Sequence, residues 1–177
     1  MRVIGTVGLA GSGKGEFAAV AEEQGVPVVT MGDVIREACR DRGLDPAEHH
    51  GEVAQSLREE NGPAAIAEAS LPHIESALED AATVVVDGIR SGVEVDTFES
   101  AFGDDFTLVA IEAPFEERKD RINERGRDGD GETLAERDNR ELRFGLDEAL
   151  ARADVQINND GSLAAFQERA TEVLESA

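Results

Sequence analysis

The chain has 177 residues, enough for one well-buried domain and too few for two independent cores. It carries 39 acidic residues against 17 basic ones, a formal net charge of −22, with 15 Arg, two Lys and neither Trp nor Tyr. That balance argues against nonspecific binding to nucleic acid or an anionic membrane, which need a positive footprint. It predicts a halophilic protein of a salt-rich cytoplasm, where a Debye length of about 3 Å at molar salt screens the self-repulsion.

The chain runs directly into Arg2–Val7 without a signal-peptide pattern, and no apolar stretch approaches membrane-spanning length, so a cytoplasmic location is expected. Arg2–Val7 is the first strand candidate. Val26–Val29, Thr83–Asp87, Phe106–Glu112 and Asp154–Asn158 follow, apolar enough to be covered on both faces. Pro27 has no N–H to donate, which predicts a sheet edge for the second run or a strand beginning there. Lys14–Gln24 places Phe17, Val20 and Ala21 at helical spacing. The fifty residues between the second and third strands exceed one crossover helix and predict two or three, punctuated by Gly43, Pro46 and Asn61-Gly62-Pro63. Strands alternating with helices give an α/β fold around a parallel sheet. One cysteine, Cys39, precludes an intrachain disulfide. His49, His50 and His73 lack metal-site spacing and read as helix-surface residues.

Gly8-Leu9-Ala10-Gly11-Ser12-Gly13-Lys14-Gly15 follows the first strand and opens the first helix, the context of a phosphate loop. Its glycines allow successive N–H groups to converge on phosphate oxygens at a helix N-terminus, and Lys14 adds a cation for the β- and γ-phosphates. Gly15 stands where Ser or Thr usually helps hold Mg²⁺. In that respect the loop resembles those of adenylate kinases and related nucleoside monophosphate kinases, where Gly also follows the lysine. Those families have Thr next; here it is Glu16, which either repels phosphates, organises a metal's water shell or complements the helix dipole.

Thr30-Met31-Gly32-Asp33-Val34-Ile35-Arg36 is similar to the Thr-Gly-Asp-x-x-Arg stretch of adenylate kinases, which implies that Arg36 grips the acceptor phosphate. It also resembles a stretch of dephospho-coenzyme A kinases, which implies a catalytic base at Asp33. A hydroxyl acceptor benefits from such a base, whereas a phosphate acceptor is already nucleophilic. The alternative for Asp33 is a cap on a helix beginning near Val34. Asp87-Gly88-Ile89-Arg90 ends the third strand and resembles the Asp-Gly-x-x-Arg segment of adenylate kinases, with Arg90 one residue closer to the Gly. The resemblance implies Asp87 in the Mg²⁺ water shell and Arg90 on the acceptor phosphate.

Seven of the fifteen arginines fall between Arg118 and Arg143. Arg118, Arg121 and Arg125 share a helix face by spacing. Asp120–Arg125 resembles the start of the adenylate-kinase lid, which implies that Arg121 and Arg125 reach the adenine and the transferred phosphate. Beyond a loop at Arg127–Glu132, Arg137 and Arg140 would complete the clamp. The alternative is a solvated helix with Glu117, Glu124, Glu136 and Glu141 pairing the arginines. Ala153–Leu163 resembles the closing strand and turn of dephospho-coenzyme A kinases.

Taken along the whole chain, the pattern is similar to an archaeal family of adenylate-kinase-related P-loop proteins. It implies a single three-layer P-loop domain with a five-stranded parallel sheet, a helical acceptor-binding insertion at about 32–80 and a short lid at about 118–143. The implied activity is an ATP- and Mg²⁺-dependent kinase acting on a nucleotide-like small molecule, a nucleoside monophosphate first and dephospho-coenzyme A second. The rival class is a nucleotide-binding switch or assembly factor with slow ATPase activity.

Overall fold

The apolar run Arg2–Val7 forms β1, and its position in the sheet explains Gly5: a Cβ there would sit 2.5 Å from Ile89 Cδ1 and 2.9 Å from Phe106 Cζ. The computed structural model describes residues 1–124 and 131–176. After β1 come α1 (Lys14–Glu23), β2 (Val28–Thr30), α2 (Met31–Asp41), α3 (Pro46–Asn61), α4 (Ala65–Asp80), β3 (Thr83–Asp87) and α5 (Gly92–Phe102). Then follow β4 (Phe106–Glu112), α6 (Phe115–Glu124), α7 (Leu134–Glu141), α8 (Asp147–Ala151), β5 (Val155–Asn158) and α9 (Leu163–Glu175).

The strands make one parallel sheet in the order β2-β3-β1-β4-β5. Side chains alternate across it. Val3, Val7, Val84 and Val86 join Ile66, Ile74 and Phe98 on one face. Ile4, Val85, Val109 and Ile157 join Phe17, Val20 and Phe166 on the other. Helices α4 and α5 thus cover one face while α1 and α9 cover its reverse, giving three layers. Arg2 donates to Leu174 O (3.1 Å) and Val173 O (2.9 Å), placing a cation at the negative end of α9.

Strand β2 begins two residues later than its apolar run. Pro27 lies at the sheet edge as its missing N–H requires, and its carbonyl accepts from Val85 N at 2.9 Å. Similarly, Asp154 precedes β5 and uses its carboxylate to accept from Leu108 N at 2.8 Å. Helix α2 starts at Met31 with Thr30 in the cap position, so Asp33 sits within the first turn and is not the cap. Helix α3 begins at the expected break, with Pro46 in its first turn, and Asp45 before it is the cap, accepting from Ala47 N at 2.9 Å. The winding direction reverses after β3, so the carboxyl ends of β1 and β3 border the crevice where ligands gather in such sheets.

Candidate active site

The loop between β1 and α1 is held from behind. Its carbonyls are all accounted for: Gly8 O and Leu9 O accept from Lys14 Nζ (2.6 and 3.3 Å), and Leu9 O also accepts from Ser12 N (3.2 Å). Ala10 O accepts from Arg118 (3.2 Å), Gly11 O from Arg121 (3.2 Å), Ser12 O from Asn159 Nδ2 (2.8 Å) and Gly13 O from Phe17 N (3.0 Å). The first N–H groups of α1 have no helical carbonyl to bond, which leaves a donor cradle at the helix N-terminus. Several of the loop's glycines are obligatory, Gly8 and Gly13 among them. A Cβ on Gly8 would collide with Ile111 O and Ser12 Oγ, and Gly13 combines φ +121° with Asn159 Nδ2 at 2.5 Å from its would-be Cβ.

Gly15 is different, because a Cβ there meets nothing within 4 Å. A glycine inside a helix costs about 1 kcal/mol relative to Ala. Gly15→Ser is therefore expected to fold with an unchanged or slightly higher melting temperature, checked by thermal unfolding; a fall of several degrees would show a steric demand the geometry does not contain. Glu16 points away from the loop and accepts from Gln167 on α9 at 2.8 Å. Of the alternatives for that residue, helix-end placement is the one its contacts fit.

Lys14 is half-buried, and that burial lowers its pKa to about 8; Asp87 and Glu141 oppose the shift, and Arg90 and Arg137 add to it. Asp87 ends β3 beside Thr6, whose hydroxyl donates to Oδ1 at 2.8 Å. Past Gly88 (φ +106°), Arg90 meets Glu141 Oε1 at 3.3 Å, and Arg137 Nε donates to the same oxygen at 3.1 Å. Lys14, Arg90 and Arg137 share a cavity of about 550 Å³ with Arg58, Arg140 and Arg143. Ile35, Ala54, Ile89 and Leu146 supply its apolar wall, and Glu141 is the carboxylate within it.

Several residues there were not signalled by motif. His50 lines this cavity and its Nε2 lies 3.3 Å from Gly32 O, which corrects its reading as a helix-surface residue. His50, Ala54 and Arg58 recur every four residues along α3, so their common face was available in the spacing. Arg58 stacks over Phe144 (4.8 Å to the ring centre) and faces Glu94, 3.7 Å away. Glu94 is buried; burial raises its pKa, opposed by the N–H of Arg90 at 2.7 Å and by Arg58. Phe144 reaches the cavity because the chain turns at Gly145, φ +126°, between α7 and α8.

Other expected site residues lie elsewhere. Asp33 and Arg36 pair with each other and neither lines the cavity. Arg121 holds Gly11 O, Glu117 (3.0 Å) and Asn159 O (3.0 Å). Arg125 lies outside the described residues, as does most of the expected loop at Arg127–Glu132. Among the described residues no cluster of three or more His, Cys, Asp or Glu side chains is arranged around a cation. Asp87, with Oδ2 left over from its bond to Thr6, fits the one-carboxylate demand of Mg²⁺ bound mainly through phosphates and water.

A parallel sheet in this order, with a glycine loop at the head of α1 and a cation-lined cavity at the strand ends, defines a P-loop kinase-like fold. Residues 7–136 match the protein family described as AAA domain. A UPF0200 protein of Halobacterium salinarum is 61% identical over 176 residues, covering 98% of this chain and 93% of its own length. The chain belongs to the UPF0200 family.

Among solved structures, TT1252 from Thermus thermophilus has a TM-score of 0.68 at 22% identity, over 99% of this chain and 96% of its own. A shikimate kinase from Bacteroides thetaiotaomicron has a TM-score of 0.60 at 17% identity, over 98% of each chain. A gluconokinase from Sinorhizobium meliloti 1021 has a TM-score of 0.59 at 18% identity, over 96% of this chain and 89% of its own. At these identities the likeness is one of fold. No described helix is long and apolar enough to cross a membrane.

Proposed function

We propose that the protein is an ATP- and Mg²⁺-dependent phosphotransferase whose acceptor is a nucleotide-like small molecule bearing a phosphate, a nucleoside monophosphate foremost. The observation that carries this reading is the cavity beside Lys14, which gathers Arg58, Arg90, Arg137, Arg140 and Arg143 in a chain of net charge −22. Such a local excess of cations in an acidic protein matches an anionic ligand rather than a neutral one. The kinase names of the fold neighbours agree with phosphoryl transfer.

In this reading the loop from Gly8 to Gly15 binds the ATP phosphates through its N–H groups. Lys14 bridges donor and transferring phosphoryl, and Arg90 and Arg137 hold the acceptor phosphate opposite it. Mg²⁺, held through Asp87 and its water shell, would neutralise charge on the phosphate oxygens. The acceptor oxygen is already anionic, so alignment and positive charge supply the catalysis and no general base is needed. Helices α2–α4 serve as the acceptor-binding insertion and the segment from about 118 to 143 as the lid, in one P-loop domain.

The bond between Asp33 and Arg36 on the exposed side of α2 disfavours a hydroxyl acceptor served by Asp33. Asp33→Asn should keep turnover within about twofold, since exposed ion pairs contribute little; a hundredfold loss would restore Asp33 as base and dephospho-coenzyme A as acceptor. The assembly-factor alternative loses one support, because Glu16 bonds Gln167 and not the loop.

The reading is tested by single-turnover ADP formation in molar KCl with nucleoside monophosphates, dephospho-coenzyme A, shikimate and gluconate supplied in turn. Acceleration by a monophosphate is the expected result. Tight ATP binding with no acceleration by any acceptor would overturn it.

A further inference from the structure

Arg118 is buried at the start of α6 and makes a two-pronged ion pair with Asp138 on α7: Nη1 to Oδ1 at 2.9 Å and Nη2 to Oδ2 at 2.7 Å. Its Nη1 also donates to Ala10 O (3.2 Å) in the phosphate loop, and its Nε to Ala113 O (3.2 Å). One guanidinium therefore bonds both the donor loop and the helix that carries Arg137, Arg140 and Glu141 at the cavity. The contact with the loop is close on a second count: a Cβ on Gly11 would lie 2.9 Å from Arg118 O. A planar five-donor fork serves a carboxylate and a carbonyl together; an ammonium group does not have that geometry. Buried, the pair is costly to leave half-made.

We infer that Arg118 and Asp138 are positioning residues that form a strut between the phosphate loop and α7, so that nucleotide binding depends on a helix whose other face lines the acceptor cavity. This rests on the proposed function above. Neither residue lines the acceptor cavity, and Asp138 has no bond to the loop except through Arg118. The carbonyl of Ala10 is tied by Arg118 as those of Gly11 and Ser12 are by Arg121 and Asn159. In a trans peptide the N–H lies opposite the carbonyl, so the ties at Ala10 and Ser12 aim the N–H groups of Gly11 and Gly13 away from these side chains, while Ser12 N closes on Leu9 O. Loosening Asp138 frees Arg118 to leave Ala10, and the cradle loses one of its three outer ties.

The test is calorimetric titration with AMPPNP and Mg²⁺ in molar KCl, with thermal unfolding of each variant. Asp138→Asn is expected to weaken AMPPNP about tenfold, although Asp138 touches no part of the loop. Arg118→Lys should weaken it at least as much. The double variant should bind no more weakly than Arg118→Lys alone, because Asp138 acts through Arg118.

Arg2→Ala supplies the contrast. Arg2 ties the start of β1 to the end of α9, outside the phosphate loop, the cavity and α7, so this change removes two hydrogen bonds without touching the strut and should lower the melting temperature while leaving AMPPNP affinity unchanged. Wild-type affinity in Asp138→Asn, or equal weakening by Arg2→Ala, overturns the strut. Failure of the wild-type chain to bind AMPPNP overturns the proposed function and the strut with it, whereas wild-type binding with an unaffected Asp138→Asn removes the strut alone. If one of the strut variants does not fold, the other compared with Arg2→Ala decides the matter.

Discussion

Lys14→Met is expected to lose phosphoryl transfer by about a thousandfold or more while raising the melting temperature near neutral pH. The loss follows from its position: Lys14 is the cation at the loop itself, and preorganised charge on a transferring phosphoryl group is worth about two to five powers of ten in rate. The gain in stability follows from burial. Lys14 Nζ is held by two carbonyls, Gly8 O and Leu9 O, and its pKa in the folded protein falls to about 8. An unfolded lysine titrates near 10.4, so between these values the unfolded chain binds more protons than the folded one, and stability from this group rises with pH. The penalty is complete below about pH 8 and fades as pH approaches 10. The melting-temperature advantage of Lys14→Met should therefore be greatest near pH 7 and shrink by about pH 10, read by thermal unfolding across that range. A pH-independent difference would mean that the ammonium is not desolvated, and wild-type transfer would remove the loop from the active site.

That antagonism between stability and function was only half legible in the sequence. The pattern of Gly8 to Gly15 after an apolar strand indicated where a cation must stand, because motif and context are both local. The lowered pKa of Lys14 was not legible, since the charged groups that act on it, Asp87, Arg90, Arg137 and Glu141, come from distant parts of the chain. The same division runs through the molecule. Pro27 indicated a sheet edge or a strand start through a missing N–H, and Pro46 a break between helices, because these are properties of single residues. The direction of Glu16 needed the position of α9, more than 150 residues away in sequence. Glu94, which no motif singled out, accepts from Arg90 N and faces Arg58 from α3, contacts that needed the packing of three separate segments. The arginine cluster from 118 to 143 was visible as an excess, but spacing alone did not separate Arg118 and Arg121, turned to the loop's carbonyls, from Arg137, turned into the cavity.

Arg90→Ala is expected to lower kcat/KM by about a hundredfold to a thousandfold, and Glu141→Gln added to it is expected to restore part of that loss. Arg90 is fixed at both ends: the turn at Gly88 brings it off β3, Glu94 holds its N–H at 2.7 Å, and its guanidinium rests on Glu141. Removing it deletes one cation near Lys14 and leaves the buried Glu141 carboxylate, among the described residues, with Arg137 as its ion-pair partner. A carboxylate short of positive charge then stands where the acceptor phosphate must bind, so repulsion compounds the missing contact. Glu141→Gln keeps the shape and a hydrogen-bond acceptor for Arg137 while removing that charge. Steady-state kinetics should therefore show the double variant about tenfold faster than Arg90→Ala, with most of the recovery in the acceptor KM, because the charge acts on binding. Losses that simply add would show that Glu141 supports the arginines and does not compete with the acceptor for them.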